Sequence, residues 1–560
     1  MTGETDTTIE PPLVDLPIKT ASRGFYDGFS REVTIPSKVI VSLLIMWAIF
    51  FPVSASETLT AANSTIISSF SWWYVYLVAF LMFACLTLAV IPQSGELRIG
   101  NPGEKPEFGR FSWFAMLFGA GIGIGMLTYS TGEPLAHFSN NPEIIRGAIE
   151  ARSVEAVRPA YIYTFLHWGF AAWGTYALVG LAIGYVAYRR DLPLTIRSAL
   201  APLFGLHLSG RWGHLVDIVA VVATILGVAV TMGFGVEQFI AGLARLGLGD
   251  WLLDRDGSSS AMAVILALVV LVGASTLSAL SGVGRGIKWL SNLNMALSFA
   301  LLALFMIVGS GLFGLRLLGT GLWDYLRTLI PNSLTLFEGG GAMGDALVQW
   351  QLDWSVFYWA WWIAFAPFVG MFIARISRGR TIREYVLGVI LVPSLMCFVW
   401  MTIVGGTAID LELSGTAQGA IVDTGISDQL YATLAVLLDP AVATLVSGLV
   451  VVLLMTYLIT STDSAILIVN TINGAGDSEG EQRHHIFFWG AALAFVVGSM
   501  LILGGIDAIR ITMIIGALPF SFVVAIMAVS ILKAVAFDLR RKRHGVPTTA
   551  QGCADLMAGK

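Results

Sequence analysis

The stretch WSVFYWAWWIAFAPFVGMFIAR, residues 354–375, decides the fold. It carries no charge before Arg375, and a helix needs about 20 apolar residues to cross a bilayer. Its other features do not suit a plain span. Pro367 removes a backbone donor inside it. Trp359, Trp361, Trp362 and Phe365 crowd just ahead of that proline, and Trp361, Trp362 and Phe365 fall within about 100° on a helical wheel. Tryptophan normally gathers at the two membrane interfaces. A cluster near mid-span either packs against a neighbouring helix or walls a site.

The rest of the chain is of the same kind. Of 560 residues, 56% are hydrophobic and only 12% charged, against about 25% charged in soluble domains. That excludes a soluble enzyme and a disordered chain. The net charge of -5, with no basic arm, excludes a nucleic-acid partner. Cys85, Cys397 and Cys553 lie too far apart in sequence for a disulfide framework or a zinc site. Residues 1–34 are polar and mixed in charge, so the first apolar run reads as a retained helix and not a secretory signal.

Twelve segments have the length of a span: 36–54, 71–92, 111–130, 159–187, 213–243, 260–280, 288–313, 354–375, 384–409, 440–470, 485–505 and 509–536. They predict an all-α integral membrane protein. A polar tail (1–34) precedes two prefix helices and a loop (35–110). A first group of five spans (111–313) is followed by an interfacial helix and loop (314–353), a second group of five (354–536) and a short basic tail (537–560). An even number of spans puts both tails on one side. The 32 Lys and Arg favour that side by roughly three to one, which predicts cytoplasmic termini. The run Arg540–Arg543 serves that topology or touches anionic lipid headgroups.

Three further spans break the pattern of plain membrane helices. The third, FAMLFGAGIGIGMLTYSTGEP, alternates Gly119, Gly121, Gly123 and Gly125. Each glycine costs a helix up to about 1 kcal/mol against alanine, so the run suits either an unwound segment lining a cavity or close packing through small residues. The fourth carries HWGFAAWGTY, which puts Trp168, Trp173 and Tyr176 on one broad face. Facing the eighth span, these rings would form a cage for an onium cation, each worth about 0.5–2 kcal/mol; ordinary packing is the other reading. The tenth carries YLITSTDSAI. Thr460 and Ser461 there offer hydroxyls that either bond the preceding turn or join bare carbonyls of the third span around a hard cation. Interrupted helices in corresponding positions of two halves point to an inverted-repeat transporter.

The motif DWSVFYWAWWIAFAPFVGMFIARISRGRTIREYVLGVILVP resembles the signature of the betaine/choline/carnitine transporter family, and the likeness continues through GAGIGIGMLTYSTGEPL, HWGFAAWGTY, SGVGRGIKWLSNLNM and TSTDSA, over most of residues 110–470. It implies a LeuT-like fold of twelve helices, a 5+5 inverted repeat preceded by two helices, in a homotrimer in the bacterial cytoplasmic (inner) membrane. It implies secondary uptake of a quaternary-ammonium or sulfonium osmolyte driven by Na+. It places the substrate among Trp168, Trp173, Tyr176, Trp361, Trp362 and Phe365, with backbone N–H groups of the segment around Gly121 and Gly125. It places sodium on Gly119, Ile122, Tyr457, Thr460 and Ser461.

Departures from the family pattern bear on the substrate. Phe365 stands where betaine carriers have a third Trp. Of a second ion site, Thr224 and Phe368 match, but Val228 replaces a threonine. Choline-type members have Asp where this chain has Gly125, so the resemblance favours a zwitterion such as glycine betaine or dimethylsulfoniopropionate over choline. Proton-coupled uptake or sodium-independent exchange of choline or carnitine competes with this reading, with His167, Glu237 and Asp463 as candidate intramembrane groups. A channel is a third reading. No HExxH motif, phosphate-binding loop or sizeable polar domain supports an enzyme.

Overall fold

The computed structural model describes residues 9–119, 123–255, 257–280, 286–477 and 483–558. Their regular structure is helical, with only isolated bridges and no strands among the described residues. The principal helices are α1 (Arg31–Phe50), α2 (Pro52–Val90), α3 (Arg110–Gly119), α4 (Gly123–Ser139), α5 (Val157–Trp168), α6 (Phe170–Arg190), α7 (Arg211–Arg245), α8 (Ala261–Leu280) and α9 (Gly286–Ile307). There follow α10 (Gly311–Leu334), α11 (Gly341–Gln351), α12 (Phe357–Ile376), α13 (Ile382–Trp400), α14 (Gly406–Leu413), α15 (Ile426–Leu437), α16 (Pro440–Asn473), α17 (Arg483–Arg543) and α18 (Ala550–Met557). Ten helices among the described residues are long and apolar enough to cross a membrane.

Where this differs from the expected spans, the backbone gives the reason. The third span is described as α3 and α4; Gly121 and Ile122 lie outside the described residues. α3 packs on α12 and α13, whereas α4 packs chiefly on α5, α15 and the π-turn Met401–Gly405. The eighth span starts earlier than its apolar run: α11 continues through a π-turn at Leu352–Val356 into α12. The eleventh and twelfth spans run together as α17, bent at Gly504 and Gly505. Gly505 sits at φ 63° and ψ -152°, a region essentially closed to residues with a Cβ. The expected interfacial segment 314–353 holds two helices, α10 and α11, and the stretch between the ninth and tenth expected spans holds α15.

α7 occupies the centre, packed against α17, α16 and α12, and α6 lies along α12. The α7–α12 crossing is close: a Cβ on Gly227 would come 2.8 Å from the Ala364 carbonyl carbon. Thr381 caps the start of α13, its hydroxyl accepting the Glu384 N–H at 3.2 Å. The two tails meet on one face. The Arg541 guanidinium donates to the Glu10 carbonyl at 2.8 Å, and the Ser30 N–H to the Asn473 carbonyl at 2.8 Å.

Candidate functional site

The aromatic residues singled out in the sequence converge inside the bundle. Trp168 ends α5, Trp173 and Tyr176 lie in the first turns of α6, and Trp361, Trp362 and Phe365 lie on α12. None of the six is more than 6% exposed, so no ring faces lipid. Trp168 stands almost perpendicular to Trp361 and Trp362, at 82° and 74°, with centroids 6.4 and 5.2 Å apart. Trp361 and Trp362 stack at 4.9 Å. Tyr176 closes the next side, 6.0 Å from Trp362 and 6.4 Å from Phe365. Perpendicular walls of this kind present π faces to one point, the geometry that attracts a cation.

The cavity they enclose has a free volume of about 20 Å³, room for one or two waters where each needs roughly 10–15 Å³. An onium headgroup enters only if the rings part. Gly125 of α4 forms part of the wall: a Cβ there would lie 2.9 Å from the Trp168 ring and 3.5 Å from Trp361. Each indole N–H is tied back. Trp361 Nε1 donates to Thr231 Oγ1 at 3.2 Å, Trp362 Nε1 to the His167 carbonyl at 3.0 Å, and Trp168 Nε1 to Glu133 Oε2 at 2.5 Å. With the polar edges satisfied in the shell, the faces are left for the cavity.

Glu133, which the sequence reading passed over, is the hub of that shell. Its Oε2 also accepts the Tyr358 hydroxyl. Its Oε1 faces His167 Nδ1 at 2.6 Å and His137 Nε2 at 3.2 Å. Glu133, His137 and His167 are fully buried, and their donor atoms lie within 4.8 Å of one another. Glutamate with two histidines is a donor set of the kind transition metals take, but here the same atoms satisfy one another by hydrogen bonds. His167 also meets Ser355 Oγ through Nε2 at 3.0 Å, so it is a hydrogen-bonded residue of the cage wall. A glutamate inside an apolar helix was the available signal; its partners, 34 and 225 residues away, were not.

The candidate ion residues fall into two groups. α4 begins at Gly123, where a Cβ would run into the Tyr457 ring of α16. Tyr457 donates to or accepts from Ser298 at 2.8 Å. One turn on, the Thr460 hydroxyl donates to the Thr456 carbonyl at 3.0 Å and accepts from Asn294 Nδ2 at 3.3 Å. Ser461 is half-buried beside it. Of the proposed carbonyl donors, Gly119 ends α3 and Ile122 lies outside the described residues. Thr224 and Phe368, the second candidate pair, are buried on α7 and α12, one turn beyond the Gly227–Ala364 crossing on each helix. The Thr224 hydroxyl donates to the Ala220 carbonyl at 2.7 Å. Glu237, late in α7, accepts from Ser259 at 2.6 Å, and buried Asp463 accepts from Ser278 at 2.7 Å.

A buried aromatic box inside a bundle of membrane-length helices is the arrangement expected of a membrane transporter. The profile of the BCCT, betaine/carnitine/choline family transporter, matches residues 32–540, and the chain belongs to that family. It is 35% identical over 503 residues to the glycine betaine transporter OpuD of Bacillus subtilis (strain 168), covering 90% of this chain and 93% of that one. It is 36% identical over 505 residues to the osmo-independent choline transporter BetT1 of Acinetobacter baylyi, covering 89% and 92%. It is 37% identical over 488 residues to the high-affinity choline transport protein of Escherichia coli (strain K12), covering 85% and 68%. The chain is therefore an integral membrane transporter and not an enzyme.

Proposed function

We propose that the protein imports a quaternary-ammonium or sulfonium zwitterion, glycine betaine or dimethylsulfoniopropionate, by sodium symport with alternating access. The observation that carries this reading is the box of Trp168, Trp361, Trp362 and Tyr176, wholly buried and closed around a small cavity. Gly125 leaves the lining without a carboxylate of its own, so no counter-charge touches a guest at that position. A zwitterion brings its own, which can lie on N–H groups of the segment around Gly121 and Gly125 near a half-helix dipole end.

The proposed layout is twelve spans of LeuT-like 5+5 topology, with both termini cytoplasmic, in a homotrimer of the bacterial inner membrane. Sodium would bind between the α3–α4 junction and α16, on Gly119, Ile122, Tyr457, Thr460 and Ser461. One sodium moving down 100 mV supplies about 2.3 kcal/mol, close to fiftyfold accumulation before its concentration gradient is added. Uptake of labelled glycine betaine into proteoliposomes, with unlabelled dimethylsulfoniopropionate, carnitine and choline as competitors, tests the substrate. Uptake that persists undiminished without sodium refutes the coupling.

A second reading, sodium-independent or proton-coupled uptake of choline or carnitine, draws on two observations. The Thr460 hydroxyl is already engaged by Thr456 and Asn294, and Val228 stands in the second site. Two of the relatives carry choline in their names. Uptake that follows a pH gradient in sodium-free buffer would decide for it.

A further inference from the structure

We infer that Glu133 is the positioning residue that makes the aromatic box prefer a cationic headgroup to a neutral one of the same shape. The inference rests on the onium reading above and adds the residue that sets the preference.

The geometry starts with one carboxylate and four donors. Oε2 takes the Trp168 indole N–H from α5 and the Tyr358 hydroxyl from α12; Oε1 takes one nitrogen each from His137 and His167. The indole N–H can reach it only as a donor, and the Tyr358 hydroxyl donates to the same oxygen, a pattern that suits an ionised, acceptor-only carboxylate. Among the described residues no Lys or Arg pairs with Glu133; its charged-pair candidates are the two histidines alone. His167 meets Glu133 through Nδ1 and the Ser355 hydroxyl through Nε2. His137 meets Oε1 through Nε2. One carboxylate, fully buried, therefore sits one hydrogen bond behind Trp168.

That placement acts on the box in two ways. A hydrogen bond to an ionised acceptor is roughly twice as strong as a neutral one, so Trp168 is held in its perpendicular pose and its ring gains electron density on the face that meets a cation. The charge is also felt directly across a water-poor interior, where electrostatic interactions are stronger than in water. Neither effect reaches a neutral guest. Because Oε2 also holds Tyr358, which stacks 5.9 Å from Trp361 and 5.4 Å from Trp362, one carboxylate orders walls from two distant parts of the chain.

The test compares an onium with its carbon isostere. Glycine betaine and 3,3-dimethylbutanoate differ in a nitrogen-for-carbon change, as do choline and 3,3-dimethylbutanol. Binding of whichever pair the wild type recognises is read by tryptophan fluorescence of the purified full chain. Glu133→Gln keeps size and an acceptor for Trp168 but removes the charge. It should weaken onium binding about tenfold, the difference between a charged and a neutral hydrogen bond, and leave the isostere within about twofold. Glu133→Asp keeps the charge on a shorter arm. It should weaken both guests and retain the preference. Equal losses for both guests in Glu133→Gln, unchanged binding of both, or loss of preference in Glu133→Asp each overturns the inference. A wild type that binds isostere and onium alike overturns the onium reading itself, and the inference with it.

Discussion

Adding one carbon at Gly125 is the sharpest test of the box. The Cβ of a Gly125→Ala variant would sit 2.9 Å from the Trp168 ring and 3.5 Å from Trp361, in a space of about 20 Å³. The first distance is inside van der Waals contact, so the indole must swing away. Trp168 cannot swing freely, because its N–H is fixed to Glu133 at 2.5 Å. Overpacking of this kind costs about 1–3 kcal/mol. Alanine returns about 0.5–1 kcal/mol of helix propensity to α4. The two terms separate by observable. Thermal stability in detergent should change by only a few degrees, since they oppose each other there. Onium affinity carries the packing term alone, because the methyl occupies the guest's space, and should fall about five- to 150-fold. The assay is KM for labelled glycine betaine in proteoliposomes, beside the melting temperature of the same preparation. An unchanged KM would show that the cavity at Gly125 is not where the substrate sits.

Other perturbations address separate parts of the design. Trp361→Leu removes one π face while keeping bulk, and should raise KM about two- to thirtyfold with little change in the amount of folded protein. Gly125→Asp introduces a counter-charge against Trp168 and Trp361, and should shift competition from glycine betaine toward choline; an unaltered order of competitors speaks against the counter-charge argument. Thr460→Ala removes a hydroxyl that already bonds backbone. If sodium binds there, its half-saturating concentration in uptake rises at least tenfold; no rise moves the ion elsewhere. Gly505→Ala forces a Cβ into a conformation that costs about 1–3 kcal/mol, and the melting temperature should fall by several degrees.

What could be read from the chain and what could not follow from the range of the interactions. Span lengths, the Gly505 break between the last two spans and the rings of the box are local: each depends on residues within a few turns, and the apolar periodicity carries them. The π-turn at Leu352–Val356 joins α11 to α12 with no compositional mark, so the eighth span looked shorter than it is. α15 falls in none of the expected spans, because acidic residues flank the short buried face that packs on α4. Glu133 was illegible as a hub for a different reason. Nothing near it in sequence says that Trp168 and Tyr358 will share its oxygen, and that pairing exists only once α4, α5 and α12 are assembled. His167 was the one member of the cluster weighed as a functional group, and the structural role given it by Glu133 and Ser355 is the better account of its burial.

The crossing of α7 and α12 links the box to the candidate ion residues more directly than either motif suggests. The helices run antiparallel there: Thr231 bonds Trp361 on one side of the crossing, Gly227 meets Ala364 at its centre, and Thr224 and Phe368 lie one turn beyond on the other side. Phe368 also packs edge-on against Phe365 of the box, with centroids 5.1 Å apart. The rings must part to admit a headgroup, since the cavity is too small for one. If α12 moves to part them, it slides or tilts against α7 at a contact with no slack, because Gly227 leaves no side chain to compress. The displacement that stretches the Thr231–Trp361 bond then changes the spacing of Thr224 and Phe368 in the same stroke. Close-packed interfaces shift between discrete arrangements and do not deform continuously. An ion that stabilised one spacing at Thr224 would therefore bias the aperture at Trp361.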